Sequence, residues 1–222
     1  MVNLSIPKWK FVSKQGAERT ENKDYFSILH SEVGTWVIAF DIATSSQATI
    51  DLAKYYISYL HKQLQHKDVD NACVRKEIIQ SAFEATKNKF RIGKASFLVI
   101  YRSVVSDKIV GLCAGDCRIG KRQADCIEWL SPVHTGINPF GELLNPEMRY
   151  KEERHILTRS FNLRRDFEPE EFELLFSPND EFVLATDGFW LELDASEQCS
   201  FIDRKGPGLP MELRASLKFN EE

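Results

Sequence analysis

The sequence predicts an α+β fold in which antiparallel sheets carry their helices segregated on the outer faces. The order of elements predicts it. Two β-rich apolar runs come first, two helical stretches follow, and the rest is mostly short strand-like runs joined by short links. Helices do not alternate with strands, which argues against a doubly wound parallel sheet. Strands joined by short links suit antiparallel pairing, with helices covering one face of a sheet. Size fits a single domain over residues 1–222: 43% of the 222 residues are hydrophobic, enough for a sizeable core.

Asp24-Tyr-Phe-Ser-Ile-Leu-His30 and Thr35-Trp-Val-Ile-Ala-Phe-Asp41, broken at Val33-Gly34, read as a hairpin. Residues 46–65 place Ile50, Leu52, Ala53, Tyr56, Ile57, Leu60 and Leu64 at helical spacing, and residues 74–90 repeat the pattern with Ile78, Ile79, Ala82, Phe83 and Ala85. Ala95-Ser-Phe-Leu-Val-Ile-Tyr101, Lys108-Ile-Val-Gly-Leu-Cys-Ala114, Arg118-Ile-Gly-Lys121 and Cys126-Ile-Glu-Trp-Leu130 read as strands. Pro132, Gly136, Pro139, Gly141 and Pro146 mark a loop or flap within about 132–165. Glu181-Phe-Val-Leu-Ala-Thr186 reads as a buried strand, and residues 198–202 as a weak last strand. The stretch from about 206 to 222, opened by Pro207, Gly208 and Pro210, is expected to be a loosely attached tail.

Charge and composition exclude several functions. A net charge of −4 offers no basic face for a phosphate backbone, so nucleic acid is not an expected partner. No apolar run approaches the roughly 20 residues a membrane helix needs, and residues 1–10 lack the apolar core of a secretory signal. A cytoplasmic protein with reduced thiols is expected. The five cysteines are scattered, Cys113, Cys117 and Cys126 being expected as buried packing. His134 and His155 read as satisfied surface or loop residues, and Trp36, Trp129 and Trp190 as core.

Four aspartates stand at strand ends. Asp24 opens one strand, and Asp41, Asp116 and Asp187 follow others, beside small residues in Ala114-Gly-Asp-Cys-Arg118 and Ala185-Thr-Asp-Gly188. Carboxylates so placed can converge at one edge of a sheet, where hard divalent cations such as Mg²⁺ or Mn²⁺ find oxygen ligands. Taken singly, each reads first as a turn former; it is four of them in strand-end contexts that raise the metal reading.

These residues carry a resemblance. Gly16-Ala-Glu-Arg-Thr-Glu-Asn-Lys-Asp24 resembles the opening motif of the metal-dependent type-2C (PPM) serine/threonine protein phosphatases. Val37-Ile-Ala-Phe-Asp41 looks like the strand entering their Asp-Gly-x-Gly loop, and Gly93-Lys-Ala-Ser96 like their Gly-Ser-Thr-Ala start. Ala114-Gly-Asp-Cys-Arg118 resembles Val-Gly-Asp-Ser-Arg, His155-Ile-Leu-Thr-Arg-Ser160 their Leu-Thr-Arg segment, and Phe182-Val-Leu-Ala-Thr-Asp-Gly-Phe-Trp190 their Ser-Asp-Gly-Leu-Trp. Six motifs stand in family order, and the compact length resembles that of bacterial members. The resemblance implies a four-layer αββα sandwich of two antiparallel sheets. It also implies a site for one or two Mn²⁺ or Mg²⁺ ions that activate a water against phosphoserine or phosphothreonine. Arg19 would hold the substrate phosphate. Asp41 would bridge the metals with the Ile42 carbonyl beside it, Asp187 would bind one, Asp116 would serve a weaker one, and Asp24 would bind or support. A phosphoprotein substrate or a partner kinase is the implied partner.

The chain also departs from that pattern. Lys23 replaces a metal-binding glutamate, which puts the second ion in doubt, and could join Arg19 as a phosphate cradle. Ile42 replaces a glycine and would crowd the loop, and Ala43 stands where many members have a histidine. The late acidic motif has only Glu197-Gln198 to represent it. The short link from Trp190 to Glu197 would remove an outer helix. An active phosphatase and a pseudophosphatase that binds a phosphoprotein or partner are the two readings that follow.

Overall fold

The structure is a computed structural model that describes residues 8–12, 21–43, 48–64, 69–138, 150–177, 179–203 and 214–218. Its elements are β1 (Lys8–Val12), β2 (Asp24–Ser31), β3 (Gly34–Ile42), α1 (Ile50–Leu64), α2 (Ala72–Phe90), β4 (Lys94–Ser103), β5 (Lys108–Ala114), β6 (Arg118–Arg122) and β7 (Ile127–Trp129). A 3-10 turn at Glu152–His155 precedes β8 (Phe161–Asn162), β9 (Glu170–Leu175), β10 (Glu181–Ala185), α3 (Asp187–Trp190), α4 (Ala195–Asp203) and β11 (Arg214–Lys218). Every ladder is antiparallel. One sheet runs β2-β3-β4-β5-β9, with β8 on β4, and the other runs β1-β11-β10-β6-β7.

Side-chain alternation stacks the layers. Along β3, Trp36, Ile38, Phe40 and Ile42 face α1 and α2, while Val37 and Ala39 face the second sheet; along β4, Phe97, Val99 and Tyr101 face the helices and Leu98 and Ile100 face the sheet. These strands are buried on both faces, which is why they read as unbroken apolar runs. On β10, Phe182 and Leu184 point between the sheets, and Val183 and Ala185 point outward beneath Phe189 and Trp190 of α3. The order is therefore helix, sheet, sheet, helix: the αββα sandwich expected.

The hairpin forms at the expected break, with Ser31 opposite Gly34, and both helices fall where periodicity puts them. Three expectations need correction. Residues 198–202 belong to α4, not to a strand. Asp194 and Glu197 form a reciprocal cap: the Glu197 backbone N–H donates to Asp194 Oδ1 (2.9 Å) and the Asp194 N–H to Glu197 Oε2 (3.0 Å). The outer layer is thus short but present. Second, Arg214–Lys218 is no loose end, because β11 lies between β1 and β10; residues 204–213 and 219–222 lie outside the described residues. Third, Cys126 is exposed, whereas Cys113 and Cys117 are buried as expected. Of the flap segment, residues 139–149 lie outside the described residues. The remainder is tied by a bridge between Thr135 and Leu157.

Candidate functional site

Asp24 and Asp41 are direct partners across the β2–β3 ladder, and Asp41 is the register partner of Ser96 on β4. Asp41 lies on the pleat face of Val37 and Ala39, between the sheets. Ile42 points the other way, 1% exposed in the helix-side core. It therefore does not crowd the loop as its bulk suggested; its N–H reaches the Lys23 carbonyl (3.4 Å).

Asp116 sits where the chain crosses from β5 in one sheet to β6 in the other. The crossing needs Gly115, whose φ is +121° and where a Cβ would stand 2.5 Å from Ser96 Oγ. Ser96 Oγ accepts from the N–H groups of both Asp116 (2.7 Å) and Cys117 (2.6 Å). Trp190 Nε1–H donates to the Asp116 carbonyl (2.7 Å). Asp187 opens α3 after β10, and β10 pairs with β6 through Ala185 opposite Arg118. The four aspartates thus gather at one end of the sandwich.

Electrostatics agree with that placement. The Asp116 carboxyl, 7% exposed, is held well above the usual carboxylate range, first by burial, then by the charge of Asp187 and less by that of Asp24; the Ser96 hydroxyl pulls the other way. Burial raises the Cys117 thiol, and the charges of Asp41, Asp116 and Asp24 raise it further. Asp187 is raised by burial, while Arg154 and His155 pull it back. A buried carboxyl raised by neighbouring carboxylates, as Asp116 is by Asp187 and Asp24, is what a divalent cation relieves. The donor chemistry therefore fits a hard cation. Thr186, preceding Asp187, leaves a buried hydroxyl without a hydrogen-bond partner. Even so, no three His, Cys, Asp or Glu among the described residues form a ready ligand group.

The remaining expected residues divide. Arg19 lies outside the described residues. Lys23 Nζ pairs with Glu21 (3.0 Å) and donates to the Ala48 carbonyl (3.4 Å), its side chain 15% exposed. Glu197 is committed to capping α4, and Gln198 donates to the carbonyls of Trp190 (3.1 Å) and Leu193 (2.8 Å), so the pair braces the outer layer. Sequence reasoning missed Arg154. Its guanidinium pairs with Glu192 and acts on Asp187, 33 positions further along the chain, with no local motif to announce it. His134, expected as a surface or loop residue, is buried and bonded to the Gly115 turn.

No protein-family model matches the chain, and no curated protein matches it in sequence. Solved structures match it closely in three dimensions. The serine/threonine phosphatase of S. agalactiae superposes with a TM-score of 0.78 at 16% identity, covering 97% of this chain and 100% of that one. The PPM Ser-Thr phosphatase MsPP from Mycobacterium smegmatis, in complex with cacodylate, gives 0.71 at 16%, covering 96% and 98%. The catalytic domain of the phosphatase PstP, in complex with two manganese ions, gives 0.69 at 12%, covering 97% and 99%. Across nearly the full length of both partners in each comparison, this chain has the fold of the bacterial PPM-type serine/threonine phosphatases, in strongly diverged sequence.

Proposed function

We propose that this chain is a metal-dependent protein phosphatase that hydrolyses phosphoserine or phosphothreonine in a protein substrate. The observation that carries the reading is the gathering of Asp24, Asp41, Asp116 and Asp187 at one end of a PPM-type sandwich, where the charges of Asp187 and Asp24 raise the buried Asp116 carboxyl. Asp41 and Asp187 would hold Mn²⁺ or Mg²⁺, with Asp24 and Asp116 beside them and the Ile42 carbonyl available. A bound ion supplies a water of lowered pKa and neutralises phosphate charge. The protein's own groups orient the ester. Arg19 and Arg154 are planar forks suited to phosphate oxygens; that the charge of Arg154 reaches Asp187 supports such a role for it. As the water oxygen gives up a proton and bonds to phosphorus, the ester P–O bond breaks and the serine or threonine oxygen leaves as the alcohol, taking its proton from solvent. Ala43 has none to give. No helix among the described residues is long and apolar enough to cross a membrane.

A second reading rests on Lys23 and Glu197. An ammonium stands in the place of one family carboxylate, and the nearest late acidic residue is spent on a helix cap. A chain so altered would bind a phosphoprotein without turnover. Hydrolysis of p-nitrophenyl phosphate and of a phosphothreonine peptide, with Mn²⁺, with Mg²⁺ and with chelator, separates the two. Turnover that needs metal and is lost in both Asp41→Ala and Asp187→Ala is the expected result. Folded protein that turns over neither substrate in any metal, yet binds the peptide in chelator, establishes the second reading instead.

A further inference from the structure

His134 is 9% exposed and lies in the link after β7, far in sequence from each group it touches. Its Nδ1 lies 3.3 Å from the Gly115 backbone nitrogen, which donates to it. Its Nε2 lies 2.9 Å from Glu170 Oε2 on β9, and the same oxygen accepts from Arg159 Nη1 at 3.2 Å. The backbone adds two ties: the His134 N–H donates to the Gly115 carbonyl (2.9 Å) and the Thr158 N–H to the His134 carbonyl (3.0 Å). A ring nitrogen that accepts carries no proton, so the proton of a neutral imidazole must lie on Nε2 and point at the Glu170 carboxylate. One tautomer satisfies both ends, and Glu170 selects it.

Gly115 is the residue on which the Asp116 turn pivots. Its N–H would otherwise be buried without a partner, and its positive φ leaves it little else to hold it. We infer that His134 is a positioning residue: as the Nε2–H tautomer fixed by Glu170 and Arg159, it holds the Gly115 N–H and so aims the Asp116 carboxylate into the aspartate cluster. Arg159 stands just after the 3-10 turn that carries Arg154. These contacts therefore link the segment that follows Arg154 to the carboxylate end of the site through Glu170 and His134. The inference rests on the phosphatase reading for its purpose, but not for its test.

The test uses the full chain, labelled with ¹⁵N in the imidazoles and backbone, without metal. Long-range ¹⁵N–¹H correlation at pH 7.5 should show His134 with Nδ1 unprotonated and Nε2 protonated. Gly115 amide exchange should quicken about fivefold or more in His134→Leu, the loss of one ordinary hydrogen bond. His134→Asn places an amide oxygen near the Nδ1 position and should restore most of the protection. Arg159→Ala, at an exposed guanidinium, should fold normally and shift the Nε2 resonance. An Nδ1–H tautomer, or Gly115 exchange unchanged in a folded His134→Leu protein, overturns the inference even in an active enzyme. A wild-type protein that hydrolyses no phosphoester overturns the phosphatase reading and leaves these readouts to decide this one.

Discussion

The two outer layers of the sandwich are built very differently. On one side α1 and α2, of 15 and 19 residues, cover β2–β4. Phe161 there touches Phe40, Tyr56, Phe83, Phe97 and Phe167, with centroid separations of 5.0 to 5.7 Å. On the other side α3 has 4 residues and α4 has 9, over a smaller apolar cluster that leaves Trp129, Leu193 and Ile202 only partly covered. The candidate site straddles this difference. Asp24, Asp41 and Ser96 stand on strands backed by the thick layer, whereas Asp187 opens the thin one. Rigid placement of one half and thin cover on the other is the arrangement expected where part of a site must adjust to a substrate.

The largest effect should come from breaking the thick side. Phe161→Ala removes the ring at the centre of the aromatic cluster and should cost about 3–5 kcal/mol in denaturant unfolding. Phe189→Ala, in the thin layer, should fall at the bottom of that range because half-exposed neighbours can close over the gap. Equal losses would erase the comparison. The carboxylate cluster comes next. Asp116 and Asp187 hold their protons more tightly folded than unfolded, so their contribution to stability is fully present below the unfolded-state pKa near 4 and is lost as pH rises through the raised folded values. Metal-free Asp116→Asn should therefore be more stable than the parent at pH 8, by on the order of 1 kcal/mol, and gain little at pH 4. A gain that is the same at both pH values would show that burial strain and not charge is relieved. The smallest effect belongs to the α4 cap. Asp194→Ala should cost about 1 kcal/mol and should speed amide exchange in α4 while leaving α2 untouched. Exchange quickening in both helices would mean that the two layers open as one unit.

Much of this site was legible because its positions are marked locally. A carboxylate at the end of an apolar run next to glycine or alanine, as in Ala114-Gly-Asp116 and Thr186-Asp-Gly188, needs only neighbouring residues to be recognised. Arg154 and His134 carry no such mark. Arg154 matters because the fold sets it near Asp187, and His134 because β5, β7 and β9 bring Gly115 and Glu170 to its two nitrogens. The departures at Lys23 and Ile42 were visible too, but not their outcome. The pleat sends Ile42 into the core, and Lys23 pairs with Glu21 and Ala48.

By itself, the sequence determined the alternation and helical spacing of apolar residues, and with them both long helices, the strands buried on two faces and the order of the motifs. These are properties of consecutive residues, read at a period of 2 or 3.6. Only the tertiary structure decided the fate of short segments. The run at 198–202 reads as a weak strand, yet the Asp194–Glu197 cap and the apolar cluster beside β7 that it packs on make it a helix. Arg214–Lys218, which reads as tail, becomes an inner strand because β10 and β1 offer it two free edges. In five residues local preference is weak, and the partner across the sheet outweighs it.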